Sequence, residues 1–238
     1  MKRRDFLVSV LAATLAAPAF AQSGRGHLNQ NDASAGIREA LSKAARLATD
    51  RLAQRDGFFG DAAVHIPLPR RVSDLQSRLR PLGLSGLLDD LELSLNRAAE
   101  SAMPGAQRIF IDTVRTITVQ DAVGIVRGGD TAATDYLRGR TNSQLVSLLR
   151  PPMQDALQGS GAYAALEPIE PYVSSGNSLF SRFTGGSGGG QTSLREDLTD
   201  HAVNKALDGV FYYVAREEQA VRRDPVSRTS DILRRVFG

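Results

Sequence analysis

The sequence predicts an all-α fold: a single-domain bundle of about eight or nine helices, with an extended Pro-containing strap over 64–69 and a Gly/Ser-rich loop over 174–193. Three observations predict it. Apolar residues recur at steps of three and four along most of the chain, the period of a helix face. The 238 residues include no Trp, no Cys and few aromatics, whereas Ala and Leu abound, a composition suited to packed helices rather than a sheet sandwich. No segment repeats with a period of twenty to fifty residues, which excludes a solenoid.

The elements follow in order. Residues 22–27 read as a polar, flexible lead-in, and the helical domain spans 28–238. Over 33–55, Ile37, Leu41, Ala44, Ala48 and Leu52 form one apolar face, and Gly57 ends that helix. Residues preceding Pro67 and Pro69 are pushed out of the helical region, so Ile66-Pro67-Leu68-Pro69 is expected to run extended. A short helix over 70–80 stops at Pro81, and Ser85 is placed to cap a helix reaching about Ala102. In that helix Leu84, Leu87, Leu88, Leu91, Leu95, Ala98, Ala99 and Ala102 share one arc, the expected core.

Pro104 suits the first turn of a new helix, whose inner face is Ala106, Phe110, Thr113 and Ile117. Thr118 followed by Asp121 predicts a capping box opening a short helix that Gly128-Gly129 closes. Asp130 and Thr141 are candidate caps for two further segments, the second split by Pro151-Pro152. A long helix over 194–222 and a short one over 230–237 complete the chain. Gly209 lies in the middle of the long one, where a glycine costs ~1 kcal/mol relative to alanine, so another helix is expected to cross there.

Charged residues carry the most functional information. Glu92, Asn96 and Glu100 stand four apart at the margin of the apolar arc, with Arg97 beside them. On the last long helix Ala202, Val203, Ala206, Val210, Val214 and Val221 define an apolar arc into which Glu217 projects. A carboxylate there has to be paired, protonated or facing a cavity, since an isolated buried charge is costly. Arg97 and Arg222 are its candidate partners. Two readings compete: a buried polar network of Glu92, Asn96, Arg97, Glu100, Glu217 and Arg222 that fixes helix register, or a cleft where Glu92 and Glu217 act as paired carboxylates. His201, Lys205, Asp208 and Tyr212 line a second polar face on the opposite side of the last helix.

Other chemistry is scarce. The three histidines, His27, His65 and His201, lack a helical ligand spacing, and the sequence calls for no metal and no cofactor. Gly185-Gly186-Ser187-Gly188-Gly189 matches a nucleophile-elbow pattern only formally, because it lies in a Gly/Ser linker without a flanking strand and helix.

The N-terminus reads as a removable export signal: basic Lys2, Arg3 and Arg4, an apolar run over 6–17, and Ala19-Phe20-Ala21 ahead of Gln22, predicting cleavage after Ala21. The run is too short to span a ~30 Å hydrocarbon layer. No cysteine follows it to carry a lipid, so the processed chain is expected to be free in the periplasm without a transmembrane anchor. Arg3-Arg4-Asp5-Phe6-Leu7 also fits a twin-arginine signal. Losing residues 1–21 removes three basic residues and one acidic one, so 29 against 26 becomes 26 against 25, which excludes strong net attraction to nucleic acid but leaves room for a local patch.

Several segments together resemble a family of exported proteobacterial proteins catalogued as domain of unknown function 4197. They are Asp56-Gly57-Phe58, Ile66-Pro67-Leu68-Pro69, the block from Glu92 to Glu100, Leu207-Asp208-Gly209, Glu217-Glu218, residues 222–225 and the ending Val236-Phe237-Gly238. The resemblance covers most of the chain from Leu28 and departs at the Gly/Ser loop near 185–190. It implies a helical envelope protein and transfers no catalytic residue. The expected function is therefore a non-catalytic binding or structural module whose partner is an envelope protein, peptidoglycan or lipid. An envelope hydrolase using Glu92 and Glu217 and an apolar small-molecule carrier are the alternatives.

Overall fold

The computed structural model describes residues 30–161 and 194–223, and every regular element among them is helical. Six α-helices follow in order: α1 over Gln30–Leu52, α2 over Arg70–Leu79, α3 over Gly86–Arg115, α4 over Val119–Arg127, α5 over Ala132–Gly159 and α6 over Leu194–Arg223. A single 3-10 turn, Arg80–Leu82, follows α2. The expected signal segment with Ala19, Ala21 and Gln22, the lead-in, the Gly/Ser-rich loop and the last short helix lie outside the described residues.

The four long helices make the frame. α1 packs against α3 and α6, and α5 packs against the same two, so the interior is shared by all four. Each contributes a continuous buried stripe, for example Ile37, Leu41 and Ala48 on α1, Leu95, Met103 and Phe110 on α3, Leu145 and Met153 on α5, and Ala202, Val210 and Val214 on α6. Phe110 and Phe211 meet edge to face with 5.6 Å between ring centroids, the geometry that aromatic quadrupoles favour. The short α4 lies against α1.

Two expected helix breaks are not there. Pro104 sits inside α3, and Pro151-Pro152 inside α5. An interior proline deletes one backbone hydrogen bond and costs ~3 kcal/mol. The apolar stripes run past these positions without interruption, through Ala102, Met103 and Ala106 on α3 and through Leu149, Met153 and Leu157 on α5. Burying each large side chain is worth ~1.5–3 kcal/mol, enough to carry the helix through the defect. Fusion of these segments reduces the α-helices among the described residues to six, and the expected short helix over 230–237 lies outside them.

Other expectations are corrected in detail. Thr141 is no cap: it is buried within α5 and its hydroxyl donates to the Leu137 carbonyl at 2.8 Å. Thr131, not Asp130, occupies the N-cap position of that helix. Leu84 and Leu87 are exposed rather than core, and the buried stripe of α3 starts at Leu88. Val114 takes the inner position expected of Thr113.

Where local chemistry is unambiguous, the elements form as the sequence predicts. Thr118 Oγ1 accepts from the Asp121 amide at 3.1 Å while the Asp121 carboxylate accepts from the Thr118 amide at 3.0 Å, a complete capping box, and Gly128 ends α4. Residues 65–69 carry no regular structure, as the alternating prolines require.

Candidate functional site

The polar stripe of α3 is a rail onto which the preceding segment is fastened. Asn96, wholly buried, uses its amide as a stand-in peptide group: Oδ1 accepts from the Ile66 N–H at 3.0 Å and Nδ2 donates to the Ile66 carbonyl at 2.9 Å. One turn earlier, Glu92 Oε1 meets His65 Nε2 at 2.6 Å and its Oε2 accepts from Gln76 Nε2 at 2.7 Å. One turn later, Glu100 Oε1 accepts from the amides of Phe58 and Phe59 at 3.1 and 3.3 Å, and Oε2 accepts from Arg97 at 2.7 Å. Arg97 reaches on to Asp56 at 2.6 Å. Asp56 has φ +65°, in the left-handed region that Asp tolerates better than most residues. Spacing by four puts three side chains on one face of α3, and together they fix the chain from Asp56 to Ile66.

A second polar centre lies at the other end of the bundle, and there the sequence reading is displaced by one residue. Glu217 is half-buried at the surface, and the buried carboxylate is Glu218. Near its end the buried stripe of α6 runs Phe211, Val214, Glu218 and Val221, which rotates Glu217 off the core. Glu218 accepts from the amides of Ala133 and Thr134 at 3.0 and 2.8 Å and from the Thr134 hydroxyl at 2.7 Å. It thus caps the N-terminus of α5, where Thr131 makes no side-chain cap bond, and its negative charge faces the positive end of that helix. Arg222 donates to Glu218 at 2.8 Å and to the Ile125 carbonyl of α4 at 3.0 Å.

The two expected partners of Glu217 are therefore engaged elsewhere, Arg97 with Glu100 and Asp56, Arg222 with Glu218. Glu92 belongs to the α2–α3 end and the 217–218 turn to the α4–α5 end, so no shared carboxylate site joins Glu92 and Glu217. The network expected from Glu92, Asn96, Arg97, Glu100 and Arg222 exists as two separate centres.

The second polar face also resolves. Lys205, Asp208 and Tyr212 are exposed, and Asp208 pairs with Arg138 at 3.6 Å. His201 is half-buried and faces the strap, its Nε2 donating to the Pro67 carbonyl at 2.8 Å. Burial holds its pKa below the usual histidine value, against the opposing pull of that hydrogen bond, with Lys205 adding to the lowering. Gly209 is a point of close approach, although not to another helix: an added Cβ would lie 2.8 Å from the Phe58 ring and 3.1 Å from Val64.

Sequence reasoning missed Gln76, Asp61 and Tyr213. Gln76 is buried on α2 one turn beyond Val72, where a polar residue in an apolar stripe was the available signal. Asp61 accepts from the Tyr213 hydroxyl and from Arg51, and the Arg51 guanidinium stacks over the Tyr213 ring at 4.5 Å. The tyrosine bond is the main cause holding the Asp61 carboxyl below its ordinary range, and burial is the main cause pushing the Tyr213 hydroxyl up. An open polar hollow of about 510 Å³ lies beside this group, lined in part by Arg51, Arg55, Asp56 and Asp61.

Chemically, these groups are consumed by the fold. Both His65 ring nitrogens are taken, by Glu92 and by the Phe59 carbonyl at 3.0 Å, and both Glu92 oxygens accept bonds. No group of three metal-binding side chains converges among the described residues. No described helix is long and apolar enough to cross a membrane.

The family model described as Protein of unknown function (DUF4197) matches residues 27–238. The chain belongs to that family. No curated protein and no solved structure matches it. Several of the segments that carried the DUF4197 resemblance are brought together here: Asp56-Gly57-Phe58 and Ile66-Pro67 on the Glu92–Asn96–Glu100 rail, with Gly209 against Phe58. In this DUF4197 chain the motif residues meet to position backbone.

Proposed function

We propose that this DUF4197 chain is a non-catalytic binding or structural module of the cell envelope, acting in the periplasm after removal of residues 1–21. The observation that supports this best is the engagement of Glu92, Asn96, Glu100 and Glu218, whose polar atoms hold the chain's own backbone and side chains. Groups committed in this way hold the shape of the molecule. A carrier role draws no support from the apolar recess lined by Ile37, Leu41 and Val221: its volume of about 10 Å³ compares with ~300 Å³ or more for small-molecule sites.

Incubation of the purified protein with peptidoglycan fragments, peptides and esters, read by mass spectrometry, is expected to give no turnover. Turnover that disappears in a folded Glu92→Gln protein would replace this proposal with a hydrolase. For the export route, an Arg3-Arg4→Lys-Lys precursor is expected to stop reaching the periplasm if the twin-arginine pathway is used. Unchanged export would assign general secretion.

A further inference from the structure

The turn that leaves α1 carries groups of both charges around the hollow of about 510 Å³, a volume within the ~300–1,000 Å³ of small-molecule sites. Little side chain fills it, because Gly57, Gly60 and Ala62 separate the charged residues of its lining. Gly57 has to stay bare: an added Cβ would lie 2.6 Å from the Leu52 carbonyl oxygen at the end of α1. The turn is also fastened. Glu100 accepts from the Phe58 and Phe59 amides, the Gly60 amide donates to the Asp56 carbonyl at 2.9 Å, and Asp61 Oδ1 accepts from the Ala63 amide at 3.1 Å. A site ordered in advance loses less entropy when a ligand enters.

The lining charges divide into engaged and open groups. Asp61 Oδ2 accepts from Arg51 at 3.1 Å and from the Tyr213 hydroxyl, and the Arg51 guanidinium stacks 4.5 Å from the centre of the tyrosine ring. Arg51 and Asp61 therefore offset each other. Asp56 gives only Oδ1 to Arg97. Among the described residues Asp56 Oδ2 accepts no hydrogen bond and the exposed Arg55 guanidinium donates none. An open carboxylate oxygen and an open guanidinium fork thus stand on adjacent residues of one lining.

Two arginines and two aspartates give this lining no net charge, so it favours neither a simple anion nor a simple cation. It matches a ligand that carries both signs on a small frame. A guanidinium fork takes a carboxylate through paired N–H bonds, and a carboxylate takes an ammonium through charge-assisted ones.

We infer that the hollow binds a zwitterionic amino acid or short peptide with free ends, its carboxylate on Arg55 and its ammonium on Asp56. This deepens the reading of the chain as a binding module and rests on it. Chemical conversion of the bound peptide would fail that reading, whereas absence of binding fails the hollow.

The test titrates the purified, isotope-labelled protein with L-alanine, L-alanyl-L-alanine and L-alanyl-L-alanyl-L-alanine, and with the N-acetyl and C-terminal amide forms of the dipeptide. Amide NMR signals report the site, and mass spectrometry reports whether each peptide stays intact. At least one of the three free zwitterions is expected to shift the Gly57, Gly60 and Ala62 signals, and the member that binds best sets the ligand length. Blocking either end of the dipeptide, or raising the salt concentration, is expected to weaken binding, with about a tenfold loss or more for either blocked end. Arg55→Gln is expected to weaken binding as much and to lose the preference for a free carboxylate. Asp56→Asn, which tolerates the same positive φ, is expected to lose the preference for a free ammonium. Thermal unfolding identifies the folded variants. No shift at the turn with any of the three zwitterions overturns the proposal. So does equal binding of the blocked dipeptides, or wild-type binding by a folded Arg55→Gln protein.

Discussion

Asn96 and Ile66 are joined by two hydrogen bonds of 3.0 and 2.9 Å, one in each direction, so that a side-chain amide completes the backbone pairing of a buried residue. Nδ2 also donates to the Glu92 carbonyl at 2.8 Å. Asn96→Ala strands both polar groups of Ile66 in the interior and is expected to cost about 2–4 kcal/mol. Asn96→Asp keeps the acceptor but aims a carboxylate oxygen at the Ile66 carbonyl, so it is expected to be no milder at neutral pH. Urea unfolding of the two variants checks this; wild-type stability in either would remove Asn96 from its role as the clasp of the strap.

Neighbouring glutamates separate the two polar positions of α6. Glu218→Gln removes the carboxylate to which Arg222 donates and weakens the cap of α5, with an expected loss of about 3 kcal/mol. Glu217→Gln, one residue away and half-buried, is expected to stay within about 0.5 kcal/mol of wild type. Equal effects in chemical denaturation would contradict the assignment of Glu218 as the buried member.

Two helical glycines have opposite surroundings. At Gly139 on α5 an added Cβ meets nothing within 4 Å, so Gly139→Ala is expected to stabilise by about 0.5–1 kcal/mol. At Gly209 the Phe58 ring stands 2.8 Å from the same atom, and Gly209→Ala is expected to destabilise by about 1–3 kcal/mol. The sign of the shift in unfolding midpoint decides both.

His201 sets a pH dependence with a definite sign. Its pKa is lowered in the fold, so the unfolded chain takes up the proton first as pH falls, and stability present above about 6.5 declines below it. His201→Gln keeps a donor for the Pro67 carbonyl and removes the titration. The stability of wild type relative to this variant is expected to fall as the pH drops below about 6.5; parallel curves would show that the burial of His201 has no thermodynamic consequence.

Much of this was legible locally. Alternating prolines marked the strap, Thr118 and Asp121 marked a cap, and the four-residue spacing of Glu92, Asn96 and Glu100 put them on one face. What each of those groups holds was not legible, because the partners come from loops whose path no periodicity encodes. Pro104 and Pro151-Pro152 read as boundaries since local propensity is all that a sequence window contains, whereas packing across four helices decides the outcome. The step from Glu217 to Glu218 follows from the same cause: where α6 meets the start of α5, its buried face turns away from the arc set by the rest of the helix.

The Glu218 cap also bears on the order in which the molecule can assemble. The rail contacts join residues separated by about forty positions or fewer, Phe58 to Glu100 and Ile66 to Asn96, whereas Ala133 and Thr134 wait for a carboxylate more than eighty positions downstream, and Asp61 waits for Tyr213 over 152. Early contacts are local and cheap in loop entropy; the closing ones are remote, and remote contacts slow folding. A chain still being synthesised can therefore fasten its first half while the front of α5 remains uncapped. Completion has to wait for α6, which makes the nascent protein a partly assembled bundle until that helix arrives.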